Sequence, residues 1–267
     1  VVTGVQTCAL PISLETAAAL DAMRAAGRVL GRLHGVPLAH KDMYYQAGKP
    51  CTCGSKIRKD FVPAYTATVM ERLHGAGSLT VGGLNMAEFA QNPTGHNAHY
   101  GHCHNPWKQG YCTGGSSSGS GAAVAARCVT AALGSDTGGS IRLPASICGV
   151  TGIKPTQTRV SRYGVMPLSF SCDNVGPLAR TAADCARIMS VIAGHDPNDA
   201  TSSAEPVPDY EAALTGDVRG LRIGIPTNYF FDDIDPEVQA AFDAAMAVLK
   251  DRGAVLVPLT LPMMDEV

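Results

Sequence analysis

The stretch "TGGSSSGSGAAVAARCVTAAL" (residues 113–133) joins a Gly/Ser run directly to an Ala-rich segment. Such a run is typical of a flexible linker, a phosphate-binding loop or part of an active site. A linker does not need a helix directly after it, yet the Ala-rich segment predicts a close-packed helix over 121–133. A Walker-type phosphate loop needs Lys after its glycines, whereas the next basic residue here is Arg127. The first two interpretations are therefore weak.

Segments of helical periodicity alternate with short apolar segments on both sides of this run. The pattern predicts helices over 15–30, 66–77, 121–133, 181–194 and 236–253. It predicts strands over 35–40, 78–84, 149–155, 221–226 and 254–261. This alternation indicates an α/β fold with a largely parallel central sheet flanked by helices.

The composition fits an ordered chain without a membrane segment. Of the 267 residues, 45% are apolar, which is enough for a sizeable core. The net charge is −2 and there is no long basic block, so we expect no direct nucleic-acid binding. Apolar runs are too short for a transmembrane helix. The nine cysteines have no disulfide-like spacing, which favours reduced thiols and a cytoplasmic location.

Both ends of the chain look cut. "VTGVQTCALPI" (Val2–Ile12) lacks the basic region of a signal peptide and looks like the translation of a sequencing-library adapter. We therefore interpret residues 1–13 as adapter-derived. Residues 14–267 are then expected to form a partial domain that is truncated at both ends and lacks its C-terminal part.

A second Gly/Ser cluster, "GSDTGGSIRLPASICG" (134–149), points to acyl chemistry. Two glycines before Ser140 let the backbone turn sharply and aim several N–H groups at one place. An oxyanion hole requires such an arrangement, because carbonyl attack places negative charge where the donors converge. Serine also needs a base, but no His lies near either cluster in sequence and G-x-S-x-G is not matched at Ser140.

A third stretch, "LHGVPLAHKDM" (33–43), supplies a different base. Lys41 lies at the end of a predicted buried strand. Burial disfavours the ammonium form and lowers the pKa of a lysine, so that the neutral amine can accept a proton.

Together the three stretches resemble the amidase signature family of serine hydrolases. The lysine, the Gly/Ser run and the second serine occur in the family's order, and "GSDTGGSIRLPASICGVTGIKPT" (134–156) resembles its nucleophile segment almost throughout. Shorter matches are "LNMAEFA" (84–90), "NPW" (105–107), "SRYGVMP" (161–167) and "VGPLARTAAD" (175–184). The resemblance covers roughly residues 30 to 260 and implies the mixed, largely parallel α/β sheet of that family.

The resemblance also implies a Ser–Ser–Lys triad. Ser140 would form the acyl-enzyme, Lys41 would be the base, and Ser116 would relay the proton between them. The Gly115–Ser116 peptide bond would be cis. The implied oxyanion donors are the backbone N–H groups of Thr137, Gly138, Gly139 and Ser140.

Several neighbouring residues have either a structural or a functional interpretation. Ser117 either supports the triad by hydrogen bonding or satisfies backbone groups. Asp136 is expected to be structural, while Arg142 either holds a substrate carboxylate or pairs with a buried acid. His40 stands where the family more often has Val or Ile, and Leu143 where amidotransferase A subunits usually have Gln.

A metal site is the main competing interpretation of one segment. "HNAHYGHCH" (96–104) and the pair Cys51 and Cys53 carry metal-ligand residue types. They lack the paired spacing of structural zinc sites, and the resembled family needs no metal. We expect neither a metal nor a cofactor.

The predicted function is an amidase that hydrolyses a small-molecule carboxamide. An alternative is the A subunit of a tRNA-dependent amidotransferase, which releases ammonia from glutamine. Leu143 favours the stand-alone amidase. Homo-oligomers and amidotransferase partner subunits both remain open. From another class, the alternative is a non-catalytic nucleotide- or metal-binding module.

Overall fold

The computed structural model describes residues 9–264, which form two compact units that divide between Ala213 and Leu214. Most of the segment interpreted as adapter-derived lies outside the described residues. The strands are β1 (Pro37–Lys41), β2 (Leu79–Leu84), β3 (Ala131–Asp136), β4 (Thr151–Gly152), β5 (Asn174–Ala179), β6 (Arg222–Pro226) and β7 (Val255–Leu259). The helices are α1 (Ala9–Ala25), α2 (Thr68–Gly75), α3 (Ser118–Ala125), α4 (Arg142–Cys148), α5 (Ala182–Ile192) and α6 (Pro236–Asp251).

The first unit contains a mixed five-stranded sheet in the order β2-β1-β3-β5-β4. β1 runs parallel to both β2 and β3, whereas β5 runs antiparallel to β3 and β4. Because β1 and β3 are parallel neighbours, their carboxyl ends meet at one edge of the sheet. Parallel α/β sheets bind ligands at this edge, and here it carries Lys41 and Asp136.

Helices cover the sheet with two apolar clusters. One cluster packs α2 and α5 against the sheet through residues such as Leu73, Leu133 and Ile188. The other packs α3 and α4 against it through residues such as Val124 and Ile141. The buried strand β3 thus lies between helical layers, as the predicted fold class requires.

Residues typical of helix ends occupy the ends of three helices. Thr181 Oγ1 accepts a hydrogen bond from Asp184 N at 3.1 Å, which caps α5. Pro236 occupies the first turn of α6, and Asp235 caps that helix through Glu237 N. Gly149 ends α4 at φ 66°, a left-handed conformation that favours glycine.

The helix predicted over 121–133 is wrong in extent. Helix α3 begins three residues earlier, at Ser118, and ends at Ala125. From Ala131 the chain is already the buried strand β3. The Ala-rich composition conceals this change because a strand buried on both faces has no alternation of polar and apolar residues.

The second unit contains the parallel pair β6–β7 and helix α6. Both predicted strands and the predicted helix are present within two residues of their expected bounds. Within residues 9–264, no helix combines the length and the apolarity needed to cross a membrane.

Candidate active site

Lys41 is fully buried at the carboxyl end of β1. Its Nζ donates to Ser116 Oγ at 2.6 Å and to Ser135 Oγ at 2.9 Å. Burial lowers the pKa of Lys41 to about 7, although Asp136, Asp173 and Cys53 each favour the ammonium and oppose that change. A substantial fraction of the lysine is therefore neutral near pH 7 and able to accept a proton.

The Gly/Ser run lies beside Lys41 as an ordered loop that leads into α3. Its Gly115–Ser116 peptide bond is cis, as the resemblance implies. A Cβ at Gly115 would lie 2.5 Å from Gly95 N and 2.7 Å from Asn92 O, so only glycine fits there. The backbone of residues 92–95 thus packs directly against the backbone of Gly115, next to Ser116.

Ser117 satisfies backbone groups of β3. Its Oγ donates to Ser135 O and accepts from Ser135 N, each at 3.2 Å. This fastens the Gly/Ser loop to the end of β3. The backbone of the loop also reaches the second serine, since Ser117 N donates to Ser140 O at 3.3 Å.

Ser140 is half-buried in the loop between β3 and α4, and Asp136 shapes that loop. The buried Asp136 carboxylate accepts from Gly139 N at 2.9 Å and from Ile141 N at 3.1 Å. Arg142 donates to it through its N–H, Nε and Nη2. Arg142 therefore pairs with an acid of its own chain.

These contacts also set the charge of Asp136. Burial raises the pKa of its carboxyl, but the hydrogen bonds from the Arg142 side chain and from the Ile141 and Arg142 N–H groups outweigh burial. The net effect holds the pKa of Asp136 below its ordinary value. The carboxylate thus remains charged and keeps its hold on the loop at neutral pH.

The backbone donors of this loop divide into two groups. Gly139 N–H points at Asp136 Oδ1, so it is already used and does not fit the oxyanion role expected for it. Within residues 9–264, the N–H groups of Thr137, Gly138 and Ser140 have no hydrogen-bond acceptor. Gly138 is exposed, and Thr137 and Ser140 are half-buried, so these three donors remain for a ligand.

Ser135 is a site residue that the sequence motifs did not indicate. It is buried on β3, and its Oγ accepts from Lys41 Nζ. The only sequence signal is its position five residues before Ser140, at the end of a strand parallel to the one that carries the lysine.

His40 does not contact the Lys41 amine. Its Nδ1 lies 2.9 Å from Lys41 O, and its Nε2 lies 2.6 Å from Gln46 Nε2. With the amide as donor, His40 carries its proton on Nδ1 and donates it to the Lys41 carbonyl. Burial lowers the pKa of His40 to about 4, so the ring is neutral at pH 7.

Two of the histidines that suggested a metal have hydrogen-bonding or ion-pair partners. His99 Nε2 lies 3.0 Å from Glu88 Oε1, and His102 Nδ1 accepts from Asn97 N at 3.1 Å. The Cys51 and Cys53 sulfurs are 3.9 Å apart. Among the residues that the structure describes, no group of three His, Cys, Asp or Glu side chains is arranged to hold a metal ion.

A large and a small cavity lie in the first unit. The larger, about 730 Å³, is lined by residues that include His40 and Asp42, and neither cavity is lined by Lys41, Ser116 or Ser140. The smaller, about 230 Å³, is lined by Ser135 and reaches Phe170. Because Ser135 touches the Lys41 amine, the smaller cavity is the one next to the candidate chemistry.

Comparison with known proteins gives consistent matches. The amidase family model matches residues 2–267. The A subunit of the glutamyl-tRNA(Gln) amidotransferase of Chloroflexus aggregans is 52% identical over 250 residues, which cover 94% of this chain and 51% of that protein. The chain thus spans about half the length of the curated relatives it matches.

Solved structures match equally well. The peptide amidase of Stenotrophomonas maltophilia superposes with a TM-score of 0.90 at 38% identity, covering 96% of this chain and 54% of that one. The A subunit of the glutamyl-tRNA(Gln) amidotransferase of Thermotoga maritima gives 0.85 at 39% identity, covering 88% and 52%. On its fold, its lysine–serine geometry and these matches, the chain belongs to the amidase family.

Proposed function

We propose that this chain cleaves a carboxamide C–N bond through an acyl-enzyme on Ser140. The observation that carries the proposal is the buried Lys41 amine, whose pKa is lowered to about 7 and which lies 2.6 Å from Ser116 Oγ. A base of that pKa is matched to proton transfer near neutral pH. The site also offers free backbone donors beside Ser140.

In the proposed reaction, Ser140 Oγ attacks the amide carbonyl carbon while its proton passes through Ser116 Oγ to neutral Lys41. The N–H groups of Thr137, Gly138 and Ser140 stabilise the negative oxygen of the tetrahedral intermediate. The C–N bond then breaks, and the proton returns from Lys41 to the leaving amine. Water, activated by the same relay, attacks the ester and frees the acid and Ser140.

Labelling with a fluorophosphonate tests the nucleophile. We expect the reagent to phosphonylate Ser140 of the full-length protein, as mapped by mass spectrometry. Ser140→Ala should abolish labelling, and Ser146→Ala, at an exposed position in α4, serves as a nearby hydroxyl control that retains the Ser140 adduct. A label on another serine, or undiminished labelling of Ser140→Ala, contradicts the assignment.

A second candidate is the glutaminase A subunit of a tRNA-dependent amidotransferase. The 52% identity to the Chloroflexus aggregans A subunit supports it, whereas the solved A subunit and the peptide amidase, at 39% and 38%, do not separate the two candidates. Leu143 remains the residue that favours the stand-alone enzyme. Both candidates share the acyl-enzyme and differ in substrate and partners.

Ammonia release distinguishes the two candidates. A stand-alone amidase should act on simple primary carboxamides without any partner protein. The amidotransferase component should prefer glutamine and should accelerate when partner subunits and aminoacyl-tRNA are added.

We also propose a cytoplasmic location, because the eight described cysteines are free thiols.

A further inference from the structure

Asp173 lies just before β5 and uses both carboxylate oxygens. Its Oδ1 accepts from Thr137 Oγ1 at 2.5 Å. Its Oδ2 accepts from Leu168 N at 2.8 Å and from Ser169 N at 2.9 Å. One side chain therefore joins the loop that carries Ser140 to segment 167–173, and sequence motifs gave no sign of this.

The contact with Thr137 falls on the proposed oxyanion hole. Thr137 N–H is one of the three loop donors without an acceptor in the described chain. Holding the Thr137 side chain also fixes the direction of that N–H. On the opposite side of the loop, Asp136 holds Gly139 and Ile141. Two carboxylates thus hold the loop by hydrogen bonds, Asp173 at Thr137 and Asp136 at Gly139 and Ile141.

Segment 167–173 in turn walls the smaller cavity. Pro167, Phe170 and Asp173 line it together with Ser135. Arg162 Nη1 donates to Phe170 O and its Nη2 to Thr201 Oγ1, which anchors the far side of the segment. The cavity wall and the oxyanion loop are therefore parts of one hydrogen-bonded network.

We propose that Asp173 is a positioning residue for amide cleavage, holding Thr137 in the oxyanion loop and tying that loop to the cavity wall. This inference rests on the proposed function. Asp173 does not touch the reacting atoms. It acts through Thr137 on the direction of a hydrogen-bond donor.

The charge of Asp173 should affect the pH dependence of the reaction, an effect that a purely structural residue would not have. Among the described residues, the groups whose charge favours the Lys41 ammonium are Asp136 at the end of β3, Asp173 before β5 and Cys53 after β1. Both aspartates stabilise the lysine ammonium. Removing the Asp173 charge should therefore let Lys41 lose its proton at a lower pH.

Three variants separate position from charge. Asp173→Asn removes the charge but keeps an acceptor for the Leu168 and Ser169 N–H groups. Thr137→Val removes the hydrogen bond and leaves the charge in place. Thr137→Ser keeps the hydroxyl. The measured quantity is the rate of fluorophosphonate labelling at Ser140 as a function of pH, in the full-length protein.

We expect Thr137→Val to label about tenfold more slowly, since a small misplacement of a catalytic group lowers the rate steeply. Its acid limb, the pH range over which the labelling rate falls as pH decreases, should be unchanged. Thr137→Ser should label near the rate of the starting protein. Asp173→Asn should shift the acid limb to lower pH. Asp199→Asn, which removes another acid of the same cavity, should leave the limb in place.

A loss of folded protein that is equal at every pH lowers the rate but leaves the midpoint of the acid limb unchanged, so a partly unstable variant still gives a result. Ser140 labelling in all variants, with unchanged rates and midpoints, overturns the role of Asp173 and leaves the proposed function intact. Absence of Ser140 labelling in the starting protein overturns both.

Discussion

Lys41 illustrates how one residue sets the working pH of the proposed site. Burial lowers its pKa to about 7, and only the neutral amine could take the proton that Ser116 relays in the proposed reaction. We therefore expect kcat/KM to rise as pH increases through about 7. Measuring ammonia release from about pH 5 to about pH 9 tests this expectation.

Lys41→Arg provides the control, because its guanidinium remains protonated throughout that range. Its activity should fall by at least about 100-fold, the usual share of a general base. A flat profile for the unaltered protein, or substantial turnover by Lys41→Arg, would show that another base serves.

Ser135 also belongs to the residue scale. Its Oγ is one of the two acceptors of the Lys41 amine, at 2.9 Å. Ser135→Ala should lower kcat by about tenfold, because the lysine loses one of the contacts that orient it. Ser135→Thr keeps the hydroxyl and should recover part of the loss. Equal kcat for all three proteins would remove Ser135 from the site.

At the scale of elements, α3 packs closely against the chain that follows β2, and this close contact requires glycine at position 119. A Cβ at Gly119 would lie 2.6 Å from Asn85 N and 2.7 Å from Asn85 O, both backbone atoms that cannot move aside. We expect Gly119→Ala to lower the free energy of unfolding by about 1–3 kcal/mol, despite the higher helix propensity of alanine.

Gly75→Ala is the matched control in α2. Its added Cβ meets nothing within 4 Å, so helix propensity alone should act and raise stability by up to about 1 kcal/mol. Urea unfolding measures both variants. Stabilisation by Gly119→Ala would contradict the proposed close contact.

Some periodic elements were predictable from sequence, although the helix predicted over 15–30 lies at Ala9–Ala25, and elements without a period were missed. Helices α5 and α6 lie within two residues of their predicted bounds. Strands β3 ("AALGSD") and β5 ("NVGPLA") were missed for two reasons. Every residue in them is buried, so polar and apolar residues do not alternate, and glycine or proline interrupts each apolar run. For the site, motif resemblance predicted that Lys41 and Ser116 lie close together. Ser135 and Asp173 make tertiary contacts with Lys41 and Thr137 that no local sequence pattern records.

At the scale of the whole molecule, the chain divides between Ala213 and Leu214 into two compact units. Residues 212–217 are exposed, and the Leu214 side chain offers a site for thermolysin. We expect limited thermolysin digestion to cut near Leu214 before it cuts within the five-stranded sheet. Mass spectrometry of early fragments tests the order of cleavage.

Leu214→Asp should delay that first cut without changing the later pattern. Early fragments that begin within β1, β3 or β5 would show instead that the first unit opens before the connection does. Stable fragments ending near Ala213 would support the division into two units.

The contacts of Asp136 have a consequence for how the protein responds to acid. Its carboxyl has a lowered pKa in the folded protein, so its contribution to stability is present above the unfolded value of about 4 and is lost only at still lower pH. Lys41 becomes protonated much earlier, below about 7. Buried, neutral His40 costs the fold stability only as pH falls from about 6.5 toward its pKa of about 4, so near pH 6 the molecule should be largely inactive yet still folded. Mild acid should then act as a reversible off state, and a return to neutral pH should restore turnover without any refolding.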